Sequence, residues 1–532
     1  MSTPSPAATP HFVIVGGGTA GWMTACLLAR QLGPACRYTL VESSEIGTIG
    51  VGEGSTPYLR DFFRQLGLEE RDWMPACHAT YKAGIRFPDW STQPGYESYV
   101  HPFFNEADRP LGQAFIQQAN LRRRGEDVDA NPADFFLAAE LARQRRAPVY
   151  SQPEHHPATD YAYHFDSGLL GAFLKRHAQE QLGLQHCVDT VAAVERHAES
   201  GDITALRLQD SGQRLEGDFF IDCSGFRGLL INEALGEPFI PWGDRLFNDR
   251  AIAIPTPLEP EQDIPSETTS TALGHGWAWQ IPLSSRYGNG YVYSSGFISD
   301  DAAEAALRAH LGSAAEGASA RRLKMRVGRV ARHWRHNCVA IGLSQGFIEP
   351  LEATALMLIQ FSVQHLIEAL QSGGGSGTME DLRQRYNALI NQMFDGVLEY
   401  VQTHYLLNTR DDSDYWHANR ALKPCSERLA ELLRAWDQGG DFDAVLSRHE
   451  AALMYQRPSW YCLLAGMGRF PASTATSLAL PAPAIALSGL QARASLMDQT
   501  RRFFMPHREA LARLDPGQGL GLDLGASLGL NR

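Results

Sequence analysis

Four short segments hold side chains whose types and spacing could do chemistry. The first, Gly16-Gly17-Gly18-Thr19-Ala20-Gly21, fits G-x-G-x-x-G. It follows the apolar run Phe12-Val13-Ile14-Val15 and opens an apolar-periodic stretch from Trp22 to Leu32, and Glu42 closes the next short strand, Tyr38 to Val41. In that context the spacing is the dinucleotide fingerprint rather than a chance glycine-rich turn. Gly16 permits the turn, Gly18 admits the pyrophosphate, and Gly21 lets the helix approach the sheet. The helix start at Thr19 and Ala20 supplies N–H donors and positive potential, and Glu42 would accept the ribose hydroxyls. A carboxylate there repels a 2′-phosphate, so FAD or NAD suits the site better than NADP.

The second segment runs from Ala79 to Trp90 and carries Lys82, one of four lysines among 47 basic residues. Alternation along Tyr81 to Phe87 predicts a strand with Lys82 and Gly84 on one face, Tyr81 and Ala83 on the other. A lysine pointing inward needs a partner to offset desolvation. Taken alone, the segment reads more readily as a structural lysine whose ammonium reaches water. The third segment, Glu349-Pro350-Leu351-Glu352-Ala353-Thr354-Ala355, lies between a buried strand and a helix. Free backbone N–H groups at such a turn bind anions, while Glu352 alone would be a first-turn carboxylate worth about 0.5 kcal/mol. The fourth, Trp277-Ala278-Trp279-Gln280-Ile281-Pro282, puts two indoles on one strand face, by itself a packing pair.

The elements that must position these residues follow from the hydrophobic pattern. His11 to Arg30 is strand, tight turn, helix, and a Gly-rich loop spans Gly47 to Gly54. Helical patterns cover Phe62 to Leu66 and Pro132 to Arg145. Strands are predicted within Gln185 to Asp210, about a turn at Ser200-Gly201-Asp202, and at Phe219 to Asp222, Ala251 to Pro255, Trp277 to Pro282, Gly290 to Ser294 and Cys338 to Gly342. A helix runs from about Thr354 to Ala369, a Gly/Ser linker covers Ser372 to Gly377, and helix continues to about Arg448. Pro/Ala/Leu-rich loops and a helix near Leu496 to Leu511 end the chain. The strands Phe219 to Asp222 and Val339 to Gly342 both enter small-residue turns, as the remote segments that complete one FAD site do, and there is no second G-x-G-x-x-G for a nicotinamide cofactor.

Composition excludes several classes. A net charge of −13 over 532 residues argues against a nucleic-acid partner. The eight cysteines are scattered, with no C-x-x-C, which reads as reduced thiols and no metal framework. The residues Met1 to Pro10 lack a signal-peptide pattern. No apolar run of about 18 residues exists; the nearest, Ser477 to Leu490, is broken by Pro481 and Pro483. The expectation is a soluble cytoplasmic protein without membrane partners.

Together and in this order, the four motifs resemble the flavin-dependent tryptophan halogenase family, from about His11 to Gly468. W-x-W-x-I-P separates that family from related flavin hydroxylases. The resemblance implies an α/β fold: a FAD-binding Rossmann-like module of the glutathione-reductase-type, flavoprotein-monooxygenase-like kind over 1–375, with inserted helical and sheet segments, and a mostly helical substrate-side portion over 376–532. It implies FAD used as FADH2, chloride or bromide, and a separate NAD(P)H-dependent flavin reductase; a homodimer is left open. Reduced flavin and oxygen convert halide into hypohalous acid, which crosses a tunnel to the substrate. The family's essential lysine matches Lys82, which would hydrogen-bond the oxidant or become a haloamine. Its glutamate matches Glu352, which would position the oxidant and take the proton from the halogenated ring. The halide-binding amides match Thr354 and Ala355, and flavin contacts fall at Leu343 and Leu356. The loop Val51 to Pro57, with Gly52, matches the mobile segment that covers the flavin.

The substrate side departs from the family. Ala355 stands where Gly or Ser is common, and a backbone donor survives unless the turn needs a positive φ. His101 and Phe103 match a His-x-Phe segment that packs on the substrate indole, and Trp460 and Tyr461 match an aromatic pair. The carboxylate that holds a substrate ammonium falls at Met467, and a Phe-Trp pair at Pro471-Ala472. A zwitterion would lose its charge partner there, at a cost of a few kcal/mol if buried. Free tryptophan is therefore disfavoured; an indole, another electron-rich arene, or an aromatic group on a larger carrier is expected. Two other readings are a flavin-dependent aromatic hydroxylase, which usually reads its own NAD(P)H, and a non-catalytic flavin-binding accessory protein.

Overall fold

A computed structural model describes residues 9–44, 52–152, 156, 159–259, 262–372, 378–471 and 488–514. The loop residues Gly47 to Val51, the linker 373–377, Ala472, and Pro481 and Pro483 lie outside the described residues.

All five residues of the strand His11–Val15 are buried, because it is central in a sheet whose neighbours on both sides are parallel to it. The sheet order is Trp334–Arg335, Cys338–Ala340, Phe219–Asp222, His11–Val15, Arg37–Glu42 and Gln185–Val188, with only the Trp334–Arg335 edge antiparallel. From the end of the central strand the chain goes first to Arg37–Glu42 on one side and much later to Phe219–Asp222 on the other. That end is a topological switch point, where open α/β sheets bind ligands. Of the remote strands expected to complete the nucleotide site, Phe219–Asp222 thus stands beside the first strand and Cys338–Ala340 beside Phe219–Asp222.

A second sheet has seven strands, in the order Arg321–Lys324, Arg250–Thr256, Tyr287–Tyr293, Gly276–Pro282, Glu267–Leu273, Gly84–Pro88 and Ser98–Pro102. A third, small sheet joins Gly52–Gly54, Ala162–Asp166 and Thr80–Lys82. The single strand expected over Tyr81 to Phe87 is divided between these two sheets. At Ala83 the backbone changes partners: its N–H donates to the Ser266 carbonyl at 2.7 Å, and its carbonyl accepts from Phe103 N–H at 3.0 Å. Lys82 and Gly84 therefore do not share one strand face. Gly84 is required where the strands approach, since a Cβ there would lie 2.7 Å from the His101 carbonyl oxygen. The break sets Lys82 at the seam between the sheets.

The helix Ala355–Ser372 follows the turn Pro350–Glu352, and the helix Met379–Leu407 packs against it. The longer helix starts with a Thr378/Asp381 capping box, and every residue from Gly396 to Leu407 is buried. Its inner half brings Tyr400, His404 and Tyr405 to the interior. The helical stretch expected to Arg448 is broken into Asp414–Arg420, Glu427–Asp437 and Phe442–His449. The last expected helix is two, Gly489–Phe503 and His507–Ala512, separated by the strand Phe504–Pro506, which pairs with Arg146–Tyr150. One hydrophobic core runs from Phe12 to Ala510 and takes in both sides of the 375/376 boundary. All eight cysteines are free thiols. No described helix is long and apolar enough to cross a membrane.

Candidate active site

At the switch point the glycines are fixed by contact. Gly16 has φ +117°, and a Cβ on it would sit 2.1 Å from the Cys223 carbonyl oxygen; one on Gly21 would sit 1.9 Å from that of Gly16. A Cβ on Gly18 would meet nothing within 4 Å, so this glycine faces open space at the start of the helix Thr19–Leu32. That helix has neither a side-chain cap nor an acidic first-turn residue, which leaves its first N–H groups for an anion. The geometry fits a dinucleotide pyrophosphate. Glu42 lies beside it, held by Lys175 Nζ at 2.6 Å and His186 Nε2 at 2.8 Å. Leu343 sits on the turn Gly342–Ser344, which presses on the fingerprint helix: a Cβ on Gly342 would lie 2.6 Å from Ala20 Cβ. Leu356 is buried in the first turn of Ala355–Ser372. Gly52 lies against Gly288 at the edge of the small sheet.

Lys82 is fully buried, and its ammonium donates to the Ser55 carbonyl at 2.9 Å. Ser55 is set by the strand Ala162–Asp166: its N–H donates to the Tyr163 carbonyl and its Oγ accepts from Tyr163 N–H at 3.1 Å. Burial pushes the Lys82 ammonium down to about 7, and the Glu352 charge offsets part of that. The neighbouring His164 is hydrogen-bonded at both ring nitrogens. Thr80 Oγ1 donates to the Pro282 carbonyl, so it accepts from His164 Nδ1–H, and Thr268 Oγ1 donates to His164 Nε2. Burial and the nearby Lys82 charge hold this imidazole well below its usual range. Behind Lys82, Tyr81 N–H donates to His507 Nε2 at 3.0 Å while His507 Nδ1–H donates to the Ile264 carbonyl. Ser55, His164 and His507 were not singled out by motif; only the fold brings them to Lys82.

Glu352 is 3% exposed and is held from two sides. His101 Nδ1 lies 2.7 Å from Oε2, and His404 Nε2 lies 3.1 Å from Oε1. His101 Nε2 also meets Ser459 Oγ at 3.0 Å. His404 Nδ1 lies 3.0 Å from the Tyr400 carbonyl, which leaves its Nε2 facing Glu352 Oε1. Burial alone would raise the carboxyl; the imidazoles overcome it and bring Glu352 down to about 2. Lys82 and Glu352 are brought to one region but are not an ion pair. Each has its own partners, and they act on each other through the field.

The turn carrying Glu352 is anchored by Glu349. Its Oε2 accepts from Tyr405 Oη at 2.6 Å, Trp277 Nε1 at 2.8 Å and Asn248 Nδ2 at 2.9 Å. Burial still raises this carboxyl, although the three donors oppose that. The first tryptophan of the W-x-W pair thus holds the turn by its indole N–H, while Trp279 packs over Gly290. The left-handed residue of the turn is Ala353, φ +55°. Ala355 begins the helix without a positive φ, so its alanine side chain is no obstacle to a backbone donor there.

A cavity of about 740 Å³ opens beside this cluster. Glu352, Thr354, His101, Phe103, Met357, Met454 and Tyr455 line it. Lys82 lies behind its wall, 5.4 Å from the Phe103 ring centroid. Trp460 and Tyr461 are not among the lining residues. Trp460 packs edge-on against Tyr400, and the Tyr461 ring packs on Trp436 and Phe442 with its hydroxyl at Asn120 and Asp443. On the helix Arg457–Gly466 it is Ser459 that meets the cavity, with Tyr455 and Gln456 just before the helix. Met467 is 1% exposed and packed in the core.

The chain matches the tryptophan halogenase family over residues 11–482. It is 39% identical over 506 residues to tryptophan 6-halogenase SttH of Streptomyces toxytricini, covering 91% of this chain and 94% of that protein. Its fold superposes on Xcc4156, a flavin-dependent halogenase from Xanthomonas campestris, with TM-score 0.82 and 33% identity over 96% of this chain and 99% of the other. BrvH, a flavin-dependent halogenase from Brevundimonas sp. BAL3, gives TM-score 0.80 and 34% identity, again over 96% and 99%.

Proposed function

The chain belongs to the flavin-dependent tryptophan halogenase family, and from that premise we propose which arene it takes and which residues act on it. It is a flavin-dependent halogenase of tryptophan or other aromatic substrates; the family uses reduced flavin from a separate reductase. Bound FADH2, with oxygen and chloride or bromide, supplies hypohalous acid.

Gly16, Gly18, Thr19, Ala20, Gly21 and Glu42 hold the dinucleotide, with Gly52, Leu343 and Leu356 at the flavin end. The amides of Thr354 and Ala355 hold the halide. Lys82 receives the oxidant. Near neutral pH it exists as both ammonium and amine, so it can donate a hydrogen bond to hypohalous acid or react with it to give N–halogen and water. The arene attacks the halogen from the cavity side, with His101 and Phe103 against its ring, and Glu352 takes the proton from the ring carbon. An arenium C–H is a strong acid, so a carboxylate held near 2 by its imidazoles is base enough.

The observation that favours a substrate without an ammonium group is the state of the cavity's carboxylates. Glu352 is engaged by His101 and His404. Glu70 accepts from the hydroxyls of Tyr81, Tyr161 and Tyr163 at 2.6–2.8 Å. Asp160 faces Arg60 at 3.6 Å, and the exposed rim groups Asp61 and Glu69 face Arg64 and Arg71. Among the described residues none is left over for a zwitterion, and rim pairs in water contribute little. The preferred substrate is an indole, another electron-rich arene, or an aromatic group on a carrier. The test is halogenation of indole, substituted indoles, a tryptophan peptide and free tryptophan, with reductase, oxygen and each halide. Indole should lead free tryptophan in kcat/KM by about tenfold or more, the value of one lost charge-assisted bond; a lead for free tryptophan overturns the reading.

A further inference from the structure

The cavity wall contains a chemistry that halogenation of the substrate does not use. Among the described lining residues two carry sulfur, Met357 and Met454. Met357 is buried in the first turn of Ala355–Ser372, two residues beyond Ala355. Met454 lies half-buried before Arg457–Gly466, and a Cβ on Gly396 would meet its Cγ at 2.7 Å. Both line the same space as Glu352 and Thr354. Their neighbours offer poorer nucleophiles. Phe103 and Phe104 are unactivated rings, the Tyr163 hydroxyl is engaged by Glu70, one face of Tyr455 is covered by Tyr400 at 3.6 Å between centroids, the buried Trp73 indole is stacked on Phe63 at 4.0 Å, and Tyr58 packs edge-on against Phe361. A thioether is soft and polarizable, the group in this wall best suited to an electrophilic halogen.

Resting on the halogenase reading, we propose that Met357 and Met454 are interception sites for hypohalous acid when no arene occupies the cavity. The sulfur lone pair attacks the halogen and releases hydroxide. Water then adds to the halosulfonium sulfur, expels halide and loses two protons, one of which neutralises the hydroxide. The sum is thioether plus hypohalous acid giving sulfoxide, halide and a proton. Sulfur loses two electrons and the halogen gains them. The sulfoxide is polar and enzymatically reversible, so the step converts an apolar wall to a polar one without permanent loss.

The experiment runs the full-length enzyme with reductase, FAD, oxygen, bromide and catalase but no arene, and follows oxygen addition to each methionine peptide by mass spectrometry. Met379 and Met497, 49% and 39% exposed, report oxidant in bulk water. Met357 and Met454 should gain oxygen several-fold faster than those two, saturating indole should suppress the gain, and hypobromous acid added from outside should reverse the order. In the M357L/M454L double variant, sulfoxide at Met379 and Met497 should rise several-fold. Exposed methionines oxidised first in the wild type, or no rise in the variant, overturns the proposal while indole bromination in the same preparation keeps the halogenase reading intact. Loss of indole bromination as well would overturn that reading and this one with it.

Discussion

The end proposed to hold the nucleotide and the end proposed to carry the reaction are built in opposite ways. The first is local and made of backbone: Gly16, Gly18 and Gly21 lie within one turn, and their roles come from missing Cβ atoms and free N–H groups. The second is remote and made of buried ionisable side chains, gathered from positions 82, 101, 352 and 404. Steric permission tolerates small change in occupancy, but a desolvated ammonium and a carboxylate between two imidazoles depend on every neighbour. Damage at the reaction end should therefore abolish chemistry while sparing cofactor binding, and damage at the nucleotide end the reverse.

The largest effect is expected at Lys82. Lys82→Met should lower halogenation by about a thousandfold or more, as loss of an essential nucleophile or donor does, with FAD affinity unchanged. Its stability effect has the opposite sign. The folded value near 7 lies below the ordinary 10.5, so burying the charge costs stability fully below about 7, and the cost fades as pH rises toward 10.5. The variant should melt higher than wild type at pH 6, with the gap closing by pH 10, read by thermal melts across that range. Second, Glu352→Gln should slow product formation by about 10²–10³ at unchanged FAD affinity. Glu352 is held below its ordinary 4.5, so its stabilising contribution is present above 4.5 and lost as pH falls toward 2; the acid limb of the wild-type melting curve should be steeper than that of the variant.

Third, Trp277→Phe removes one donor from buried Glu349 and should cost about 1–3 kcal/mol of stability and roughly tenfold in rate, since the Glu352 turn loosens. Denaturant melts and kcat at saturating FAD check the two parts. The smallest change is Lys175→Ala. Its pair with Glu42 is a third exposed, so FAD affinity should shift by only a few-fold with kcat constant. If Lys175→Ala stopped halogenation, or Glu352→Gln released FAD, the contrast between the two ends would fail.

The same contrast explains what could be read from the sequence. The fingerprint, its flanking strand and helix, and the remote strands of its sheet were legible because backbone geometry is written in adjacent residues. Lys82 and Glu352 were named only through the family resemblance; of their neighbours the resemblance also named His101, as a substrate contact and not as the partner of Glu352, and the others went unmarked. His404 comes from the deep half of a long helix, Ser55 from a loop, and His507 from the chain's last described helix, and no local spacing marks any of them. The partition of Tyr81 to Phe87 between two sheets was missed because alternation describes a face, not which strand will pair with it. Trp460 and Tyr461 were expected at the substrate, yet the helix they ride turns Ser459 to the cavity, with Tyr455 and Gln456 at its start.

In the proposed mechanism Lys82 passes an oxidant made at the nucleotide end to an arene in a cavity with no spare carboxylate. A competition of equimolar indole and free tryptophan with bromide, reductase and oxygen, run for wild type and K82M and read as product mass, tests both halves at once. Bromoindole should dominate for wild type, and brominated product from the variant should fall by about a thousandfold. Bromotryptophan as the main wild-type product, or bromoindole from K82M at the wild-type rate, would contradict this mechanism.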